Sequence, residues 1–386
     1  MKITKIVGHH VRIPLVHPAK WSGGTRLSAP AFILEMHTDE GIIGLGECVG
    51  PTIPVIAAIV TEELSQFLIG QNPLNTELLV RRMEEFARNW LQLGAYAISG
   101  LEMALLDIKG KWLNTPVYHL LGGQCKKEIG YAGYLFIDEP EINAKRALDY
   151  KNQGYSEIKI KIGRDLDQDV NSLAAIRDAV GWDMKIRVDA NMNWNVPTAI
   201  KWIKEIQKFK IMYVEQPVPD YDLDGMAAVR RAVDVPIAAD ESCSSVERVL
   251  EMIKRDSCDV FVVYVSEAGG LSRARTIASI ADACGKWCTM GTWAETGVAT
   301  IAGAHVIASS ANFVFYNDSH YMLQTDDIIT EPLQIIKGKI TLSDKPGLGV
   351  SLDEVKLEKF KKCDVRESVF FDNIEDEQMP LIGQLI

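Results

Sequence analysis

The sequence predicts an α/β protein in which a small α+β domain precedes a βα barrel. A hairpin-like pattern over residues 2–47 gives way to helical periodicity that lasts to about residue 112. After Gly122 and Gly123 the pattern switches to short apolar strands alternating with longer amphipathic helices. Eight such strands recur at intervals of about 25 residues, close to the unit size of a closed barrel. A chain of 386 residues, 47% apolar and 24% charged, is long enough to bury a substantial core in two domains.

Each segment carries its own signal. Residues 32–38 and 42–47 alternate as strands do around Asp39, Glu40 and Gly41, a good hairpin turn. Apolar spacing over 54–68, 78–86 and 95–112 predicts three amphipathic helices, the last stopping before Asn114, Thr115 and Pro116. These elements make an α+β domain over 1–125. The barrel is expected over 126–325, its strands centred on Tyr134, Lys159, Val188, Val214, Ala238, Val262, Thr289 and Phe315. A doubly wound open sheet is the rival, but its Gly-x-Gly-x-x-Gly fingerprint after the first strand is absent. Residues 334–342 and a turn at 346–350 read as strand and turn outside the barrel, in a tail, 326–386, that returns to the first domain.

Charge and cysteine usage narrow the class. Forty-one basic against fifty-two acidic residues leave a net charge of −11, which disfavours nucleic acid and anionic membranes as partners. Seven cysteines without paired spacing read as reduced thiols of the cytosol. The N-terminal residues lack the apolar stretch of a signal peptide, and no later run approaches membrane-spanning length. A cytoplasmic homo-oligomer acting on a small molecule is expected.

The chemistry lies at the strand ends. In residues 158–162 isoleucine alternates with lysine, so the isoleucines face the helices while Lys159 and Lys161 face the barrel axis. The same alternation places Arg187, Asp189 and Asn191 on one face of the third strand, Tyr213 and Glu215 on the fourth, and Asp240 on the fifth. Barrel enzymes carry their active sites at these C-terminal ends. Asp189, Glu215 and Asp240 are 26 and 25 residues apart, one βα unit each, so successive strands deliver three carboxylates to one spot. They repel unless a cation neutralises them. All-oxygen donors, with no histidine or cysteine at equivalent positions, select a hard ion, Mg²⁺ or alternatively Mn²⁺, over Zn²⁺. Any one carboxylate is ordinarily a capped strand end or surface ion pair, whereas three in register beside two inward lysines mark a site.

Lys159-x-Lys161, Val188-Asp189-Ala190-Asn191, Val214-Glu215-Gln216-Pro217 and Ala239-Asp240-Glu241-Ser242 resemble the enolase superfamily. Asp240 followed by Glu241 and Ser242 is similar to its muconate lactonizing enzyme (muconate cycloisomerase) branch. Further matches at 107–111, 120–123, 268–271, 291–305 and 346–350 spread the resemblance over nearly the whole chain. It implies a modified TIM barrel, (β/α)7β, under an N-terminal α+β capping domain joined by the C-terminal tail. It also implies that Asp189, Glu215 and Asp240 bind Mg²⁺ and that Lys161 is the base. Lys159 then contacts the substrate carboxylate or modulates Lys161. Removing a proton α to a carboxylate builds charge on the carboxylate oxygens as an enediolate forms, and a cation there favours that state over the ground state. Lys159 and the metal are both expected to depress the pKa of Lys161.

The chain departs from the branch at one place. The sixth-strand motif usually ends in a lysine opposite the base, and here Tyr264 takes that position, either as barrel filler or as a donor in acid catalysis. A phenol with a reference pKa of about 10 makes two-base racemisation a poor fit and favours one-base isomerisation or β-elimination. Glu295 matches an acidic position after the seventh strand and either lines the pocket or sits in a surface loop. The Asp-x-Asp pair that dipeptide epimerases of the branch carry after the eighth strand is replaced by Tyr316, Asn317 and Asp318, against dipeptide specificity. The residues matching the two specificity loops are 18–28 and 48–54. Glycines there permit a mobile lid, and Trp21 offers an apolar wall. Asn191 is the remaining expected substrate contact.

The resulting expectation is Mg²⁺-dependent abstraction of the α-proton of a small carboxylate, completed as an isomerisation or an elimination. The rivals are a metal-dependent hydrolase or aldolase on the same barrel and a noncatalytic relative that only binds a ligand.

Overall fold

The computed structural model describes residues 1–361, 363 and 368–369. Strands Ile3–Trp21, Gly24–Thr38 and Ile43–Cys48 form an antiparallel meander, and Ser368–Val369 pairs with the middle strand at Thr25 and Arg26. The ladder of the first two strands breaks between Pro14 and Ala19, where two prolines lack N–H donors, and resumes as Ala19↔Arg26, Lys20↔Thr25 and Trp21↔Gly24. Residues 18–28, expected as a glycine-rich lid loop, are therefore a hairpin whose turn is only Ser22 and Gly23. The expected helices follow as a continuous helical run from Ile53–Ala58 through Ser65–Leu68, then Thr76–Ala87 and Gln92–Trp112. The long helix lies directly on the third strand: a Cβ at Gly44 or Gly46 would collide with the carbonyls of Ala104 or Gly100.

Seven parallel strands come next, each neighbouring the next in chain order: Gly133–Leu135, Glu157–Lys161, Lys185–Asp189, Ile211–Glu215, Ile237–Ala239, Val260–Val263 and Trp287–Met290. Helices alternate with them. Asp165, Asn195, Asp222 and Ser245 cap four of those helices by accepting a backbone N–H two or three residues into the first turn. Phe315, the expected centre of an eighth strand, lies in no ladder. The chain there makes two parallel bridges, Cys288↔Phe313 and Tyr131↔Asn317, which join the sheet's two edges and close the ring. The side chain of Asn317 replaces ladder partners: its Oδ1 accepts Met290 N–H (3.0 Å) and its Nδ2 donates to the Gly130 carbonyl (2.9 Å).

Beyond the ring, only Lys339–Thr341 of the expected 334–342 strand is extended, paired with Glu128–Gly130. Leu348 N–H donates to Asp107 of the long helix (2.8 Å), and helix Glu354–Lys361 packs on the first strand. Two buried carboxylates from the first 122 residues cap barrel helices. Glu102 accepts the N–H groups of Leu271 (2.6 Å) and Ser272 (3.1 Å), and Glu47 serves helix Gly297–Ala308 in the same way. Among the described residues no helix is long and apolar enough to cross a membrane.

Candidate active site

The strand ladder itself assembles the centre. Lys161 is in register with Asp189, and Asp189 with Glu215; Asp240 lies two residues beyond Ala238, the partner of Glu215, and so on the same face. Asp189, Glu215 and Asp240 each offer a carboxylate oxygen, and these three oxygens lie within 4.8 Å of one another. Ile158 and Ile160 enter the apolar layer against the helices, while Lys159 and Lys161 turn inward as expected. Lys161 pairs with Asp189; Lys159 pairs with Glu215, Asp189 (3.1 Å) and Asp318 (2.7 Å). Both ammonium groups also sit over the ring of Tyr134, 5.4 and 5.7 Å from its centroid.

Burial and mutual repulsion divide the charges. Burial, then Asp189, holds the carboxyl of Glu215 well above its ordinary range, and burial with Glu241 and Asp189 does the same for Asp240. Burial opposes charge on Asp189 too, yet Lys159 and Lys161 outweigh it and hold Asp189 low. Burial likewise opposes charge on Lys161, but Asp189 and Tyr134 outweigh both burial and the repulsion of Lys159, so the ammonium is held above its usual range. The expected depression by Lys159 is thus present but is the smaller effect beside Asp189. Glu215 Oε2 is buried without a hydrogen-bond partner. An orphaned oxygen in a cluster of acids that partly suppress one another's charge fits a hard divalent cation.

Tyr264 follows the sixth strand and is 8% exposed; its ring occupies the space that any side chain at Gly291 would need. The second and sixth strands are four positions apart in the sheet order, and the phenol of Tyr264 feels the charges of Asp240, Glu267 and Glu215. Asn191, with φ 44°, donates its amide to Glu241 (3.1 Å) beside the acids. Glu295 borders a small cavity of about 30 Å³ with Tyr131, Met290, Gly291 and Asp318. Its carboxylate is held by its own loop, through Thr292 Oγ1 (2.5 Å) and Trp293 N–H (2.9 Å). Trp21 sits at the hairpin tip, where Ser22 Oγ donates to the Ala190 carbonyl (3.1 Å), next to Asp189. Arg26 donates to the Trp293 carbonyl (2.5 Å) and lies over that indole.

Several supporting residues were not assigned from sequence. Asp318 is a buried counter-ion joining Lys159 to Arg187 (2.6 Å), and Arg187 also meets Glu157 (3.1 Å) and Tyr213. Gln216 Oε1 accepts the N–H groups of Asp240 (2.9 Å) and Ser242 (3.2 Å), which fixes the fifth-strand acid relative to Glu215. Glu267 accepts hydrogen bonds from Tyr96 (3.1 Å) and Trp293 (2.8 Å), and burial raises its carboxyl to about 7.

Acids and lysines gathered at the C-terminal mouth of a ring of strands, beneath a hairpin from a preceding domain, define a capped α/β-barrel enzyme. Residues 3–122 match the family model of the mandelate racemase/muconate lactonizing enzyme N-terminal domain, and residues 143–356 that of the enolase C-terminal domain-like family. The N-succinyl-L-Arg/Lys racemase of Bacillus cereus is 33% identical over 375 residues, 93% of this chain and 98% of that protein. Its crystal structure superposes with a TM-score of 0.89 at 32% identity, over 96% of this chain and 100% of that one. A hydrophobic dipeptide epimerase of Enterococcus faecalis is 33% identical over 359 residues, 91% of this chain and all of that protein. Muconate cycloisomerase 1 of Acinetobacter baylyi is 31% identical over 366 residues, 91% and 97% of the two chains. The chain belongs to the muconate lactonizing enzyme branch of the enolase superfamily.

Proposed function

We propose that the protein is a Mg²⁺-dependent isomerase that removes the α-proton of a small carboxylate, with Lys161 as its single effective base. The observation that carries this is the ladder register of Lys161, Asp189 and Glu215, which sets a lysine directly beside three converging carboxylates. Asp189, Glu215 and Asp240 hold the cation, which when bound supplies charge stabilisation to the substrate carboxylate as its α-carbon loses a proton. With the acids occupied by that cation, Asp189 no longer favours the ammonium of Lys161, and Lys159 and burial both favour the free amine. Lys161 Nζ then takes the proton. Lys159, held by Asp318 from below, orients the substrate carboxylate, and Gln216 keeps Asp240 in place. Burial, then Asp240 and Glu267, pushes the phenol of Tyr264 well above its usual range, so it stays protonated and can donate from the opposite side.

The hairpin tip closes over this centre, with Trp21 as its apolar wall and Asn191 and Glu295 at its edges. In this division residues 1–125 form the cap, 126–325 the barrel and 326–386 the segment that rejoins the cap. The test is proton NMR in ²H₂O with Mg²⁺ and a panel of N-acyl amino acids, dipeptides, acid sugars and muconates. Exchange at the α-carbon of at least one member is expected. Product formation without α-exchange would indicate a hydrolase or aldolase, and binding without either would indicate a noncatalytic relative.

A further inference from the structure

Around the closure of the ring, most polar side chains have partners. Asn317 bonds Met290 and Gly130, Asp318 pairs with Lys159 and Arg187, Ser319 Oγ accepts Tyr321 N–H (3.1 Å), and Tyr321 donates to Asp327 (2.7 Å). His320 is 7% exposed, and neither of its ring nitrogens has a partner. A buried imidazole leaves both a donor and an acceptor unmet, which natural interiors rarely tolerate without a function. Its position suggests one. The ring stands edge-on to Tyr134 at 4.5 Å and to Phe136 at 5.5 Å, and the face of that same Tyr134 carries the ammonium groups of Lys159 and Lys161. His320 therefore shares Tyr134 with the two lysines and lies close enough to feel their charge. Burial, then the charges of Arg26, Lys161, Lys159 and His17, keep the imidazole neutral. A neutral N–H in a cationic surrounding suits an oxygen acceptor and disfavours an ammonium group.

We propose that His320 is a specificity-determining residue whose ring N–H donates a hydrogen bond to an acyl or carboxylate oxygen of the substrate, remote from the carboxylate beside the reacting carbon. It rests on the proton-abstracting role given to the centre above. The test compares two probes that share an amino acid, N-succinyl-L-lysine, which presents acyl and carboxylate oxygens, and L-alanyl-L-lysine, which presents an ammonium. Calorimetric affinity with Mg²⁺ and KM and kcat for α-exchange are measured for the wild type, His320→Phe and His320→Asn.

The wild type is expected to favour the succinyl probe tenfold or more. His320→Phe, which keeps the ring and removes both nitrogens, is expected to narrow that preference tenfold through affinity and KM rather than kcat. His320→Asn, which keeps a donor, restores part of it. Because His320→Phe removes an unsatisfied polar group, its melting temperature is expected to hold or rise. An unchanged preference in His320→Phe, weaker binding of both probes by the same factor, a fall in melting temperature, or a wild type that binds neither probe overturns the assignment. Binding preference without α-exchange for any carboxylate would instead sink the proton-abstracting role and leave His320 as a ligand contact.

Discussion

Both carboxylate oxygens of Glu47 are taken by Thr296, whose backbone N–H reaches Oε1 at 2.7 Å and whose hydroxyl reaches Oε2 at 2.7 Å. Oε2 also accepts Ala299 N–H (2.8 Å), so a residue 249 positions away in sequence supplies the cap of the helix after the seventh barrel strand. The N-terminus of a helix leaves N–H groups without intrahelical partners, and Glu47 accepts them from the neighbouring sheet, although burial raises its carboxyl to about 8.

Glu47→Ala would leave two buried N–H groups and a hydroxyl unmet. Thermal or denaturant unfolding is expected to show a loss of about 2–4 kcal/mol, the cost of orphaning buried donors. A loss near zero would mean that water replaces the carboxylate and that the joint between the meander and the barrel is held elsewhere.

Glu215→Gln is expected to weaken Mg²⁺ binding strongly while the protein prepared in chelator unfolds at the same or a higher temperature. Removing one of three converging acids relieves repulsion, and Lys159 keeps Asp189 and Asp318 as partners. Calorimetric titration with MgCl₂ and a melting curve in chelator decide it. A large fall in the chelated melting temperature would make Glu215 a structural acid.

Lys161→Ala is expected to reduce α-exchange by roughly 10²–10⁴-fold, the usual contribution of a positioned base. Tyr264→Phe should leave exchange measurable and slow the later, acid-requiring step. NMR of each enantiomer in ²H₂O separates the cases. Loss of exchange for one enantiomer in each variant would establish a two-base epimerase.

Acid stability is expected to depend on His305. Its Nδ1 accepts Tyr118 N–H (3.2 Å), and its Nε2 faces the Leu348 carbonyl (3.2 Å), an arrangement that only the neutral Nε2–H tautomer satisfies. Burial lowers its pKa from 6.5 to about 4. Between these values the unfolded chain binds a proton that the folded chain does not. Stability therefore falls with decreasing pH from 6.5 to 4, by about 1.4 kcal/mol per unit at most. His305→Asn, which keeps an acceptor for Tyr118, should flatten that limb of a urea-unfolding series; an unchanged slope would remove His305 as its source.

What could be read from the sequence follows one periodicity. Alternating Ile and Lys in 158–162 announces both the strand and its inward face, and acids spaced one βα unit apart announce their convergence. The closing segment around Phe315 reads as a strand, yet it keeps only two isolated bridges, supplemented by the side chain of Asn317, an arrangement that local patterning does not encode. Residues 18–28 read as a glycine loop because the proline-interrupted ladder hides a strand that resumes at Ala19. Glu47, Glu102, Asp318 and His320 act through partners far away in sequence or through lacking one, and single-chain periodicity carries no trace of such relations.

The hairpin tip bonds to both sides of the mouth, Ser22 to Ala190 after the third strand and Arg26 to Trp293 after the seventh, with Arg164 also donating to the Ser22 carbonyl (3.3 Å). If a substrate binds beneath this tip, its release would require those bonds to open, and such openings run on microsecond to millisecond scales. Proton removal and return would then repeat many times within one visit. In ²H₂O the label acquired per encounter will therefore be set by residence time as much as by the speed of the base, and solvent viscosity becomes a lever on apparent turnover.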